Sequence, residues 1–354
     1  MDKQMDITQQ DKLKIIIEIF NNIPENIKIN KSKKTGVIIE KPYKIKAAKY
    51  DFNEYIRYEK FHHVLAYFYK TMEKNFSKYD INGFYENFKT LKIKERRLDL
   101  FEQIERRITG FVVQAEYDGM KNKIYIIKNT YTQLATILCH ELLHMATTKN
   151  TKKIKFSGLS QINLKTNKDI GRALNEGYTE YINQKYFLIN FFDNGYDNEI
   201  SIAKIIELIV GQEKMERLYF ESDLYGLIEE ISKYTEKENI MDIIIKFDKL
   251  HIKITKEENK KVEYEEIRKL LMEIYMTKQK MLLESGLITE EEYNKRRIVN
   301  GEVFVKENIV FSENAELTIN HEKNEIEIID EENDLLIKKA NKYIESYENK
   351  RNYK

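Results

Sequence analysis

ATILCHELLHMATTK, residues 135–149, is the stretch whose reading decides the fold. With Leu134, Ile137, Leu138, Leu142, Leu143 and Met145 it is apolar on nearly every side, the pattern of a helix surrounded by protein. His140 and His144 stand four positions apart within it. Four helical steps overshoot one turn by only roughly 40°, so both imidazoles leave the helix on one face. Glu141 is carried one step round, beside them. Two imidazoles and a carboxylate in such apolar company are costly to bury without partners. A divalent cation gripped between the histidines is the partner this chemistry suggests; two core histidines sharing a face is the plainer alternative.

A second stretch, ALNEGYTEY at 173–181, supplies what such a cation would still lack. Zinc prefers four ligands and keeps one position open for chemistry, so two histidines call for one further protein ligand. Glu176 and Glu180 lie at i and i+4 on one helical face, and either could in principle reach the metal. The acid that does not can hold a histidine through its other ring nitrogen. Gly177, between them, costs about 1 kcal/mol relative to alanine in a helix. It makes sense if this helix presses closely on the one carrying the histidines.

HELLH followed by N-E-G-Y-T-E resembles the gluzincin group of zinc metallopeptidases, whose pattern is H-E-x-x-H and then E-x-x-x-D or E-x-x-x-E on a later helix. The resemblance covers about residues 111 to 190. It implies a zincin-like catalytic core with Zn2+ held by His140, His144 and Glu176. Glu176 takes the ligand role from the first position of the pattern, after Asn175. Glu141 matches the general base and Glu180 the outer carboxylate that bonds a ring nitrogen of His140 or His144. The spacer between the motifs is longer than in thermolysin-like enzymes, and the outer acid is Glu where they have Asp. Such enzymes often stabilise the oxyanion with a tyrosine or histidine from another helix. The candidates are Tyr178, Tyr219, Tyr225 and His251, with Tyr219 favoured because it lies on a helix expected near the cleft. The resemblance also makes the KIYIIK strand (123–128) a wall of the cleft, able to bind an extended peptide through its backbone.

Outward from the motifs, the predicted fold class is α+β, mainly α: a zincin-like core with a small sheet and helical flanks. FVVQAEY (111–117) and KIYIIK are β-rich runs around a hairpin signal at Asp118–Asn122. Asn129 or Thr130 can cap the motif helix. KIKFSGLSQINLKTN (153–167) suggests another hairpin near the site. Helices are predicted at 8–23, 52–76 and 80–108, the last clearest in KIKERRLDLFEQIERR. Others follow at 169–190, 199–211, 213–220, 222–234, 238–250, 262–285 and 290–298. The tail reverts to strands in AELTIN (315–320) and EIEII (325–329), then a helix at 332–347. This divides the chain into a mainly helical region 1–109, a catalytic core 110–300 and a β-hairpin with helix at 301–354.

The chain has 354 residues, more than one core usually holds. Sixty basic and 59 acidic side chains nearly cancel and are interspersed, so no nucleic-acid partner is expected. The charged KIKERR stretch reads as a solvated face, and His62 and His63, as adjacent residues, diverge rather than share a metal. Cys139, the one cysteine, can make no internal disulfide and reads as a small buried hydrophobe. The polar N-terminus lacks the apolar stretch of a signal peptide, and no run is long enough to span a membrane. The expected protein is thus a cytoplasmic zinc metallopeptidase acting on a peptide or protein substrate. The alternative is a metal-binding regulatory or interaction protein on the same scaffold, with little general peptidase activity.

Overall fold

A computed structural model describes residues 39–44, 61–98, 103, 114–127, 134–187, 196–252, 257–293, 316–320 and 325–329. These are mainly helical, with small sheets. The chain divides into two compact units, one formed by 31–203 and 212–264, the other by 1–30, 204–211 and 265–354. Among the described residues no helix is long and apolar enough to cross a membrane.

In the first unit, helix α1 (His62–Phe76) and helix α2 (Asn82–Thr90) lead into strand β1 (Lys92–Arg96). Strands β2 (Ala115–Asp118) and β3 (Lys123–Ile127) complete a sheet of order β1-β3-β2. β1 corrects the helix expected across 80–108. Its charges suggested i,i+4 pairing, but Ile93 is buried between exposed Lys92 and Lys94, the alternation of a strand, and β1 runs parallel to β3. The β2–β3 hairpin is as predicted, closed at Asn122 with φ 47°. KIYIIK, however, is not a free edge: β3 is the middle strand, flanked by β1 and β2, and its backbone is already paired. The outer strand next to the motif helix is β2.

The motif helix, α3 (Leu134–Thr147), is the centre of this unit. Leu138, Cys139, Leu142, Leu143 and Met145 are fully buried, as their all-round apolarity requires. It packs against β2, α1 and α2. The last carbonyls of a helix have no partner within it, and here side chains from elsewhere supply them. Asn87 Nδ2 donates to Met145 O at 2.8 Å and to Thr148 O at 2.7 Å, Thr148 Oγ1 donates to His144 O at 2.8 Å, and Ser222 Oγ donates to Thr147 O.

After α3 the chain makes a four-stranded antiparallel meander: β4 (Thr148–Asn150), β5 (Ile154–Ser157), β6 (Ser160–Asn163) and β7 (Lys168–Ile170). The predicted hairpin is its middle pair, and Lys168–Ile170, expected to begin a helix, is its last strand. Register separates the two faces. Lys149, Phe156, Gln161 and Ile170 form one buried row, whereas Asn150, Lys155, Ile162 and Asp169 form a row that solvent reaches. The buried row carries the segment 39–44: Gln161 exchanges two hydrogen bonds with the backbone of Glu40, at 2.7 and 3.1 Å.

Helix α4 (Arg172–Ile182), with the second motif, follows a left-handed Gly171 (φ 80°) and ends in a π-helical turn, Asn183–Phe187. Helices α5 (Asp197–Val210), α6 (Gln212–Glu221), α7 (Leu224–Ile231), α8 (Lys237–Ile252) and α9 (Glu257–Glu284) come next, close to the predicted spans. Phe68 stacks on Phe187 at 4.7 Å and Phe76 meets Phe220 at 4.4 Å, so aromatic rings fill much of the interior. In the second unit Lys278 donates to Leu208 O at 3.4 Å, and Arg268 is buried with Nη2 at 2.9 Å from Glu265. The predicted tail hairpin is there, as β8 (Glu316–Asn320) antiparallel to β9 (Glu325–Ile329). The expected helices at 8–23 and 332–347 and the Asn129 or Thr130 cap lie outside the described residues.

Candidate metal centre

Helices α3 and α4 bring three ligand atoms together. His140 Nε2 and His144 Nε2 are 3.0 Å apart, and Glu176 Oε2 lies 3.4 Å from the first and 3.3 Å from the second. The edge of a tetrahedron with arms of about 2.05 Å, the length of a zinc–nitrogen or zinc–oxygen bond, is roughly 3.3 Å. The three atoms therefore outline one face of a tetrahedral coordination shell, and the group can hold a metal ion. Both histidines are buried and Glu176 is half-buried.

Each histidine has a second contact behind it. Glu180 Oε2 accepts from His140 Nδ1 at 2.8 Å; in the neutral imidazole this puts the proton on Nδ1 and leaves the Nε2 lone pair toward the cluster. Asn183 Nδ2 and Gln184 Nε2, both in the π-turn, donate to the Glu180 carboxylate at 3.3 and 3.2 Å. Behind His144 stands Asn175, with Nδ2 at 3.3 Å from Nδ1 and its carbonyl accepting from Leu159 N at 3.0 Å. That carbonyl occupies the space a side chain on Gly158 (φ 51°) would need, since a Cβ there would come within 2.1 Å of it. The tight β5–β6 turn thus fixes Asn175.

Three carboxylates surround two imidazoles, and the electrostatics show the demand for positive charge. Burial alone would lower the His140 imidazole, but the hydrogen bonds that Glu176 and Glu180 accept from it carry it well above its usual value. Burial would raise Glu176, yet the charge of His144 and the bonds from both rings hold it well below the carboxylate range. Glu141, one step round α3, is buried and is not among the three converging ligands. Burial pushes its carboxyl up against the pull of His140 and His144, and the backbone N–H of Tyr117 in β2 is near enough to pull it down as well.

Of the expected oxyanion donors, Tyr219 and His251 lie nearest the cluster, and burial, helped by the charge of Glu176, pushes the Tyr219 hydroxyl up. Tyr219 is fully buried, its hydroxyl sharing a 2.8 Å hydrogen bond with Thr179 Oγ1. Tyr178 is buried edge-on to Tyr219 at 5.3 Å, and Tyr225 lies under the ammonium groups of Lys41 and Lys237. His251 does come near: its ring stacks at 6.2 Å on Tyr196, which lies parallel to His140 at 5.8 Å and 7°. Tyr196, just before α5, is the residue that sequence reasoning missed. Nothing distinguishes it among 24 tyrosines except its place at the start of a helix. Burial and then the charges of Glu176, Glu141, Glu180 and Glu199 push its hydroxyl up, so it stays a proton donor at ordinary pH. Glu199 holds His251 from behind, with Oε1 at 3.2 Å from His251 Nδ1 and accepting from the Tyr264 hydroxyl at 2.8 Å.

Gly177 has a different neighbour from the one expected. A Cβ there would come within 2.3 Å of Glu199 O, so the glycine lets α4 press on the first turn of α5 rather than on the histidine helix. Searches against family models, curated proteins and solved structures returned no match for this chain.

Proposed function

We propose that the chain is a zinc-dependent peptidase with a gluzincin-like, zincin-type core. One observation carries the reading: three ligand atoms at 3.0, 3.3 and 3.4 Å outline a tetrahedral face with a buried, non-ligating Glu141 beside it. Two neutral imidazoles and one carboxylate suit zinc and leave its fourth position open. Zinc bound there would supply a Lewis acid that polarises a carbonyl and makes water a stronger acid. Glu141, destabilised as an anion by burial, takes the proton from the attacking water and returns one to the departing amine. Tyr196, with its proton retained, and His251, oriented by Glu199, bring donors to the oxygen on which negative charge develops. A peptide fits better than a small ester because β2 is an outer strand and its Tyr117 amide is near enough to act on Glu141. An extended chain added along β2 runs past the general base.

The test is elemental analysis together with a digest of an unbiased peptide library. Wild type should hold about one zinc per chain, the number one such site takes, and cleave the library in a chelator-sensitive way. Glu141→Gln should keep its zinc and fold while losing at least about a hundredfold in rate, the scale of a general base. Full activity in that variant, or wild type without zinc, defeats the proposal.

A further inference from the structure

The solvent-reached row of the second sheet stands beside the metal centre and carries a cation with no assigned task. Lys155 occupies its middle, paired across to Asn150 and Ile162. The side chain is half-buried against the β2–β3 turn, where Gly119 makes room for it. A Cβ on Gly119 would come within 3.1 Å of Lys155 Cε and 3.2 Å of Nζ. Asn150 ties the turn to the sheet by donating to Gly119 O at 2.7 Å. Lys155 therefore stands at the end of the outer strand β2, close enough to Asp118, Arg172, Glu116 and Glu176 for their charges to act on it.

The acids around it are already engaged. Asp118 takes Lys121 at 2.8 Å, Glu116 takes Arg96 at 3.8 Å, and Glu176 faces the two imidazoles. Among the described residues neither Lys155 nor the exposed Arg172, first residue of α4, has an ion-pair partner. Burial strips the Lys155 ammonium of part of its hydration, and the charges of Asp118, Glu116 and Glu176 offset that only in part; a carboxylate arriving with a substrate gives it a direct partner.

The geometry points to Lys155, supported by Arg172, as a subsite that selects a carboxylate on the substrate. This inference rests on the peptidase reading above. The carboxylate is either an Asp or Glu side chain of the peptide or its free C-terminus.

The experiment uses the zinc-loaded full chain. Peptides cleaved from an unbiased library are resynthesised in matched sets, with each Glu or Asp replaced by Gln or Asn, and with the C-terminus free or amidated. Wild type should prefer the carboxylate member in kcat/KM by about three- to fivefold, the scale of one partly screened ion pair. The amidated set identifies a terminal carboxylate and the Gln or Asn set a side chain. Lys155→Met, which keeps most of the aliphatic stem, should abolish the preference, and Lys155→Glu should reverse it. Arg172→Gln should weaken it, and decides the matter with Lys155→Met if the charge reversal does not fold. A wild type that cleaves without the preference, or Lys155 variants that keep it, overturns the subsite alone. A zinc-loaded wild type that cleaves nothing overturns the peptidase reading, and the subsite with it.

Discussion

At the scale of single residues, the roles of Glu176 and Glu180 are the sharpest division in the site. They share a helical face, and the sequence alone allowed either to be the ligand. Geometry separates them. Glu176 Oε2 lies 3.4 and 3.3 Å from the two Nε2 atoms, whereas Glu180 reaches the opposite nitrogen of His140 at 2.8 Å. Removing Glu176 leaves a metal on two imidazoles and should largely empty the site. Removing Glu180 leaves all three ligands and loses only the group that orients one of them, a change of about 10- to 100-fold in affinity. Zinc dissociation in a chelator competition, run on Glu176→Ala and Glu180→Ala side by side, checks this. If Glu180→Ala empties the site while Glu176→Ala retains zinc, the roles are reversed.

At the scale of elements, Gly177 carries a prediction about how α4 and α5 meet. Glu199 O occupies the place of its missing side chain, and a methyl group there would sit 2.3 Å from that oxygen. Backbone cannot yield as a flexible side chain does, so Gly177→Ala should push the first turn of α5 outward and move Tyr196 and Glu199 with it. The expected result is a loss of about 1–3 kcal/mol in stability, the usual cost of overpacking, with a fall in kcat that exceeds any change in zinc content. Unchanged stability by urea unfolding would contradict the contact. The same glycine shows what the sequence could and could not reveal. A glycine between two functional acids announces a close approach but does not say which neighbour approaches. HELLH and NEGYTE were legible because helical periodicity alone puts their groups on one face. Lys92–Arg96 was not: its charges fit a helix, and only pairing with β3 makes it a strand. Nor could KIYIIK be recognised as a middle strand, because strand order depends on that same distant partner. Tyr196 and Lys155 escaped for a related reason, since each matters only through what the fold sets beside it.

At the scale of the whole molecule, the helix that carries Glu176 depends on a contact far away in sequence. Asp248 of α8 accepts hydrogen bonds from Gly171 N at 2.7 Å and Ala173 N at 2.9 Å, capping the start of α4. Burial raises its pKa to about 6 from the usual 3.8, against the bonds from Ala173 and Gly171; Asp169 adds to the rise and His251 opposes it. The folded chain therefore holds a proton that the unfolded chain releases between roughly pH 4 and pH 6. Stability from this group is present below about pH 4 and declines as pH rises through 6, by on the order of 3 kcal/mol for a shift of about two units. Asp248→Asn keeps one acceptor for the cap and cannot ionise. Urea midpoints for wild type and Asp248→Asn should be compared from pH 4 to 7 at one zinc concentration. The pH dependence of metal binding is then common to both chains and cancels in the difference. Wild type should lose stability relative to the variant as pH rises from 4 to 6, and the two curves should run parallel above about pH 7. A difference independent of pH would mean that Asp248 enters the folded state already ionised, with the cap offsetting its burial in full.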